Sequence, residues 1–246
     1  MKDRFSSLAK QYAQFRPGYP DEIFHFIRKE ISGTKYAWDC GTGNGQVALK
    51  LASFMEQVEA TDISEKQLGA ATLQPNIRYS RQAAEQTDFP SKHFDLITVA
   101  QAIHWFEFDS FYREVARVLK PEGLFVVLGY GLLRVNKEVD EVLDRFYHDI
   151  IGDYWDPERK HIENHYQQIP FPFQEIVTPS LVHTTKWSLE HFLGYLQSWS
   201  AVKRYEEEKQ ESPVLEFQPL FKKAWGDEQN QYSVKFPILF RAGKLK

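Results

Sequence analysis

The stretch Trp38-Asp39-Cys40-Gly41-Thr42-Gly43-Asn44-Gly45-Gln46 decides how this chain folds. It ends a short apolar run and opens an apolar-periodic one, so it reads as strand, glycine loop and helix. Glycines at 41, 43 and 45 let the backbone turn sharply and let a ligand come against bare main chain. Unpaired N–H groups at the start of the next helix then face that ligand. The spacing is G-x-G-x-G, whereas a dinucleotide fingerprint is G-x-G-x-x-G and a P-loop carries Gly-Lys-Ser/Thr. Asn44 and Gln46 stand where a P-loop has its cation. A phosphate-rich nucleotide is therefore a poor candidate.

Outward from the loop, Val58-Glu59-Ala60-Thr61-Asp62-Ile63-Ser64 reads as a second strand ending in an acid. Such an acid can accept two hydrogen bonds from a ribose diol. A glycine loop without phosphate features plus a ribose-binding acid describes a nucleoside without phosphate, and S-adenosylmethionine fits. With these motifs the chain resembles class I S-adenosylmethionine-dependent methyltransferases. The acid-x-Gly-x-Gly-x-Gly motif is Asp39 to Gly45, and Asp62 is the ribose acid. The match continues through Ala84-Glu85, Phe94-Asp95-Leu96-Ile97-Thr98-Val99 and Arg117-Val118-Leu119-Lys120-Pro121-Glu122-Gly123. The resemblance implies cofactor contacts from Asp39, Gly41, Thr42, Gly43, Gly45, Asp62, Ile63, Ala84, Glu85, Gln101 and Trp105, and from Tyr12 and Arg16. It also implies S-adenosyl-L-homocysteine as product.

The periodicity organises the rest. Phe5, Leu8, Tyr12 and Phe15 predict a helix over residues 5–15, ended by Arg16-Pro17-Gly18-Tyr19-Pro20; Asp21 caps a second helix. Strands follow at about Tyr36–Cys40, Gln57–Thr61, Ile77–Gln82, Asp95–Ala100 and Leu124–Gly129. Ser64 and Gln67 form a capping box. A helix covers Ser110–Leu119, stopped by Pro121-Glu122-Gly123. Strand alternating with helix means α/β, a doubly wound and mostly parallel sheet. The resembled fold, Rossmann-like, has seven strands with an antiparallel last one. After Tyr130 the pattern turns helical, with Val139, Val142, Leu143, Phe146, Tyr147 and Ile150 on one face. We read one domain over residues 1–246, its nucleoside-binding core about 34–131 and 172–246. Residues 1–20 and 132–171 are its helical cap, expected to cover the pocket. Gln174–Val177 and Leu181–Trp187 read as extended. Ser188 caps a helix, and Ser212-Pro213 and Pro219 open short helical turns. Tyr232–Ala242 is the last strand, with Pro237 implying an edge or a bulge.

Three segments narrow the resemblance. Tyr12-Ala13-Gln14-Phe15-Arg16-Pro17-Gly18-Tyr19-Pro20, Gln101-Ala102-Ile103-His104-Trp105-Phe106 and Leu193-Gly194-Tyr195-Leu196-Gln197-Ser198-Trp199-Ser200 look like motifs of the subgroup of trans-aconitate methyltransferase-like enzymes. That likeness implies a small-molecule acceptor, often a carboxylate. His104 and Arg16 are the candidate catalytic residues. Tyr19, His104 and Trp105 are candidate acceptor contacts. A guanidinium on the rigid Arg-Pro-Gly-Tyr-Pro turn can clamp a carboxylate, and Trp105 can face a sulfonium. Tyr195 and Trp199 read as core.

The 246 residues are 42% hydrophobic, enough for a full core, and the net charge of −4 argues against a nucleic-acid surface. No apolar run is long enough to span a membrane. A single cysteine, Cys40, and no signal peptide point to the cytoplasm. The histidines lack metal-binding spacing, so no metal is expected; the chain is expected to be a monomer or homodimer. Three rivals to carboxylate O-methylation stay open. They are methylation at carbon or another heteroatom, a non-catalytic S-adenosylmethionine-binding protein and, disfavoured by the glycine spacing, a nicotinamide dehydrogenase.

Overall fold

A computed structural model of the chain describes residues 15–245. Tyr12 and nearly all of the helix expected over 5–15 lie outside the described residues. The first complete helix, α1 (Asp21–Glu30), precedes the alternating core of β1 (Tyr36–Cys40), α2 (Gln46–Leu51), β2 (Gln57–Asp62), α3 (Glu65–Gly69) and β3 (Ile77–Arg81). Then come β4 (Phe94–Ala100), α4 (Phe108–Val118) and β5 (Leu119–Tyr130). Further on lie α5 (Lys137–Arg145), running into a π-helical turn at Phe146–Ile150, and α6 (Lys160–Glu163). The chain ends with β6 (Gln174–Ile176), β7 (Val182–Trp187), α7 (Leu189–Gln197), α8 (Ser200–Lys209), α9 (Pro213–Trp225) and β8 (Tyr232–Lys244).

The sheet runs β3-β2-β1-β4-β5-β8-β6. Strands β1 to β5 are parallel throughout, and β8 is antiparallel to β5, β6 and β7. The expected seven-stranded mixed sheet is present, and β7 adds an eighth strand. Pro237 falls where β8 changes partners: Tyr232–Pro237 pair with β7, and Ile238–Lys244 pair with β5.

Side chains alternate across the pleat and feed two cores. Trp38, Cys40, Val99, Phe125 and Val127 face α4 and the 162–173 segment. Ala37, Val58, Ala60, Leu96 and Val126 face α1 and α2. A third core lies at the end of β5, where α5, α7, α8 and α9 pack together with β7 and β8. This helical layer is wider than residues 132–171, because Leu189–Trp225 joins it.

Two expectations from the sequence are corrected. The helix before β5 stops at Val118, and Leu119 already pairs with Phe94, so Pro121-Glu122-Gly123 sits inside an irregular β5. Residues 213–225 form one helix with Pro219 inside it, since Val214, Phe217, Phe221 and Trp225 share a buried face that outweighs the lost hydrogen bond. Ser200–Lys209 is a helix that buries Ala201 and Val202.

Candidate active site

Helix α2 packs on one face of the sheet and α4 on the other, so the loops after β1 and β4 part company. That is the switch point where open parallel sheets bind ligands. Gly41, Gly43 and Gly45 all have positive φ, at +67°, +58° and +85°, conformations that side chains disfavour. Their surroundings differ. A Cβ at Gly41 would stand 2.6 Å from the Ala102 Cβ, and one at Gly45 would strike the Tyr79 hydroxyl. Only Gly43 opens on empty space, so it is where a ligand can lie against main chain.

Two carboxylates shape this loop. Asp39 is buried and accepts from Thr42 Oγ1 at 2.6 Å and Thr98 Oγ1 at 2.7 Å. Asp62 accepts from the Gly43 N–H and the Ser64 N–H, both at 2.9 Å. The cleft around them encloses about 990 Å³ including its open mouth, and its lining holds Asp39 and Asp62 but no Lys or Arg among the described residues. Gln67 is buried there, and its Oε1 has no partner among the described residues. A nucleoside bearing cationic groups fits such a cleft, and a dinucleotide phosphate does not.

Burial pushes the Asp39 carboxyl up to about 6, against the hydrogen bonds from Thr42 and Thr98. Folding therefore favours its protonated form, a contribution present below the ordinary aspartate pKa and lost as pH rises through 6. A cationic ligand reverses this preference. Affinity for S-adenosylmethionine is expected to rise roughly tenfold between pH 5 and 7. Calorimetry on the wild type and Asp39→Asn checks it, and a flat wild-type profile contradicts it.

A second cavity of about 500 Å³ adjoins the cleft and shares Gln101 and Trp105 with it. Its other walls include Arg16, His104, Trp155, Arg159 and Trp199. Gln101, at the tip of β4, has φ +53°, a sparsely populated conformation for a side-chain-bearing residue and a feature concentrated at functional sites. Its amide donates to Tyr130 O at 3.0 Å. Arg16 donates to Tyr130 Oη at 3.3 Å and Ser198 O at 3.2 Å and lies over the Tyr195 ring. His104 is buried, with Nδ1 3.5 Å from Tyr166 Oη. Burial, then the charges of Arg159 and His161, push its imidazole down to about 3.

Most sequence-predicted site residues converge here. Asp39, Gly41, Thr42, Gly43, Asp62, Ile63, Ala84, Gln101 and Trp105 line the cleft. Four others are placed as follows. Gly45 is set back behind Tyr79. Glu85 is outside the cleft lining and accepts from the Glu107 N–H at 3.2 Å. Tyr19 lines the cleft rather than the second cavity, 6.0 Å from the Tyr130 ring, and Arg16 does the opposite. Gln67, Gln82, Trp155 and Arg159 were missed. The capping-box reading did place Gln67 on the first turn after β2, but nothing in the sequence turns its side chain toward the cleft. Among the described residues, no group of three or more His, Cys, Asp or Glu could hold a metal, and no helix is long and apolar enough to cross a membrane.

Known proteins are similar to this chain. The family described as a methyltransferase domain matches residues 38–127. A candidate methyltransferase of Dictyostelium discoideum is 34% identical over 244 residues, covering 96% of this chain and 92% of its own. The solved structure of a candidate type II methyltransferase from Anaeromyxobacter dehalogenans is 40% identical, with a TM-score of 0.86, covering 94% of this chain and 98% of that one. The chain belongs to the class I S-adenosylmethionine-dependent methyltransferases, and it is an enzyme of that class.

Proposed function

We propose that the enzyme transfers a methyl group to a carboxylate oxygen of a small molecule held in the second cavity, as the trans-aconitate methyltransferase-like motifs imply. The observation that carries this reading is the charge of that cavity: Arg16 and Arg159 line it, and its one acid among the described residues, Asp156, is ion-paired with Arg204. When bound, S-adenosylmethionine supplies a methyl group on a sulfonium whose departure leaves a neutral sulfide. Asp39, Gly43, Asp62 and Gln67 hold the nucleoside side. Trp105, between cleft and cavity, can face the cation. Arg16 orients the acceptor. A carboxylate is already ionised at neutral pH, so positioning supplies most of the acceleration. A neutral His104 suits this chemistry, because an imidazole so hard to protonate is a weak base for an alcohol or carbon acid. The test is a panel of small acids incubated with S-adenosylmethionine carrying a labelled methyl group. Label released as methanol by mild base, with S-adenosyl-L-homocysteine formed in equal amount, supports the reading; base-stable label rejects it.

A further inference from the structure

His165 and Tyr166 are consecutive residues with positive φ, at +52° and +59°. Side-chain-bearing residues persist in that region only where their surroundings over-determine it. Arg241 supplies much of the constraint. Its Nη1 donates to Tyr166 O at 3.0 Å and Ile169 O at 2.8 Å, while its Nε and Nη2 pair with Glu175 at 2.8 and 2.9 Å. The turn held in this way sets the wholly buried Tyr166 ring against Gly129 of β5. A Cβ at Gly129 would stand 2.7 Å from the ring and 2.8 Å from the hydroxyl. That hydroxyl reaches Gln101 Oε1 and His104 Nδ1, both at 3.5 Å. Gln101, itself at positive φ, is pinned by its amide's bond to Tyr130 O. Gln101 and His104 line the second cavity, and Tyr166 stands behind them. A strained, buried hydroxyl is thus tied to two cavity residues from outside the cavity.

We propose that Tyr166 is a positioning residue: it locks His104 in the tautomer whose Nε2–H donates to the acceptor oxygen in the second cavity. A neutral imidazole has one donor and one acceptor nitrogen, and the bond made by one of them decides which carries the proton. Nδ1 faces the Tyr166 hydroxyl, so Nε2 is the nitrogen left to the cavity. A phenol is a stronger acid than a neutral imidazole N–H, and an imidazole nitrogen is a better acceptor than an amide carbonyl. The Tyr166 proton therefore goes to Nδ1, and the ring proton sits on Nε2. An N–H there suits an oxygen bearing negative charge, in a cavity that Arg16 and Arg159 also line. His104 then orients the acceptor beside the Gln101–Trp105 wall, which adjoins the cofactor cleft, and neither gives nor takes a proton. Contacts of 3.5 Å in a catalytic site shorten once substrate loads it. What Nε2–H binds rests on the carboxylate reading above; the tautomer does not.

The test is nitrogen NMR at neutral pH on protein with labelled histidines, saturated with S-adenosyl-L-homocysteine. His104→Gln identifies the His104 resonances by their loss. Wild type is expected to show a bonded proton on Nε2 and none on Nδ1, with Nδ1 shifted as in a nitrogen that accepts a hydrogen bond. Tyr166→Phe keeps the buried ring and removes only the hydroxyl. It should move Nδ1 to the position of a nitrogen without a hydrogen bond and let the Nδ1–H tautomer appear. With whichever acceptor takes the labelled methyl group, Tyr166→Phe should lower kcat/KM for that acceptor by about two- to tenfold, the scale of one neutral hydrogen bond. The KM for S-adenosylmethionine should not change, which a general loss of folding would not leave intact. A proton on Nδ1 in wild type, or a Tyr166→Phe variant that matches wild type in either measurement, overturns the proposal. The wild-type spectrum needs no variant, so a poorly folding Tyr166→Phe does not shelter the proposal. The expected spectra with base-stable label keep the role of Tyr166 and remove the carboxylate chemistry. Methyl esters formed by a protein whose His104 carries its proton on Nδ1 do the reverse.

Discussion

Asp62→Ala is expected to weaken binding of S-adenosyl-L-homocysteine by about thirty- to a thousandfold, or roughly 2–4 kcal/mol. Two effects combine. The variant loses the acceptors offered to a ribose diol at the end of β2. It also leaves the Gly43 and Ser64 N–H groups without the carboxylate that accepts from them at 2.9 Å. Gly43 is the loop position that opens on the cleft, so its misplacement disturbs the main chain a ligand would touch. Asp62→Asn separates the two effects. An asparagine can satisfy one of these amides, but its NH2 cannot accept from the other. It should fall between wild type and alanine. Isothermal titration calorimetry reads all three; unchanged affinity in Asp62→Ala would remove the ribose assignment.

The contrast between this loop and the cavity explains what the sequence made legible. Strand β1 was read at its observed bounds, Tyr36–Cys40, and β4 to within one residue. Both are buried on two faces, so continuous apolar runs bounded by glycine and polar turns mark them plainly. The glycine loop is equally plain because its conformation is local: positive φ at 41, 43 and 45 demands glycine. The second cavity has no such signature. Arg159 and Trp155 are placed on that cavity by contacts with Tyr147, twelve and eight residues earlier, and by the fold that brings Gln101 and His104 to the same lining. In sequence they are a surface-type arginine and one more tryptophan. Glu85 shows the same limit in reverse: a motif position next to Ala84, yet the Glu107 amide takes its carboxylate. The fate of Pro219 was likewise tertiary, since only the packed face of Phe217, Phe221 and Trp225 shows why the helix continues through it.

The second large effect concerns Arg16 and His104, which face the same cavity and separate two chemistries. Arg16→Ala is expected to lower kcat/KM for the acid acceptor by about a hundredfold or more, since it removes the charge that orients the carboxylate. Arg16→Lys should recover part of this. The ammonium keeps the charge but cannot reproduce the paired donors that reach Tyr130 Oη and Ser198 O. His104→Gln should cost less than tenfold, because a carboxylate needs no base and the buried imidazole is neutral at every working pH. The sign of that neutrality is testable on its own. With its pKa depressed to about 3, His104 contributes stability that is complete above the ordinary histidine value and is lost as pH falls from there toward 3. Denaturation of wild type should therefore steepen in pH dependence below about 6.5, and His104→Gln should flatten it. Rates measured between pH 5 and 9 settle the chemistry. A hydroxyl or carbon-acid acceptor would need a base, and losing it would cost about a hundredfold or more. If a limb appears near the ordinary histidine pKa and vanishes in His104→Gln, the imidazole takes a proton during turnover, and the acceptor is not a carboxylate.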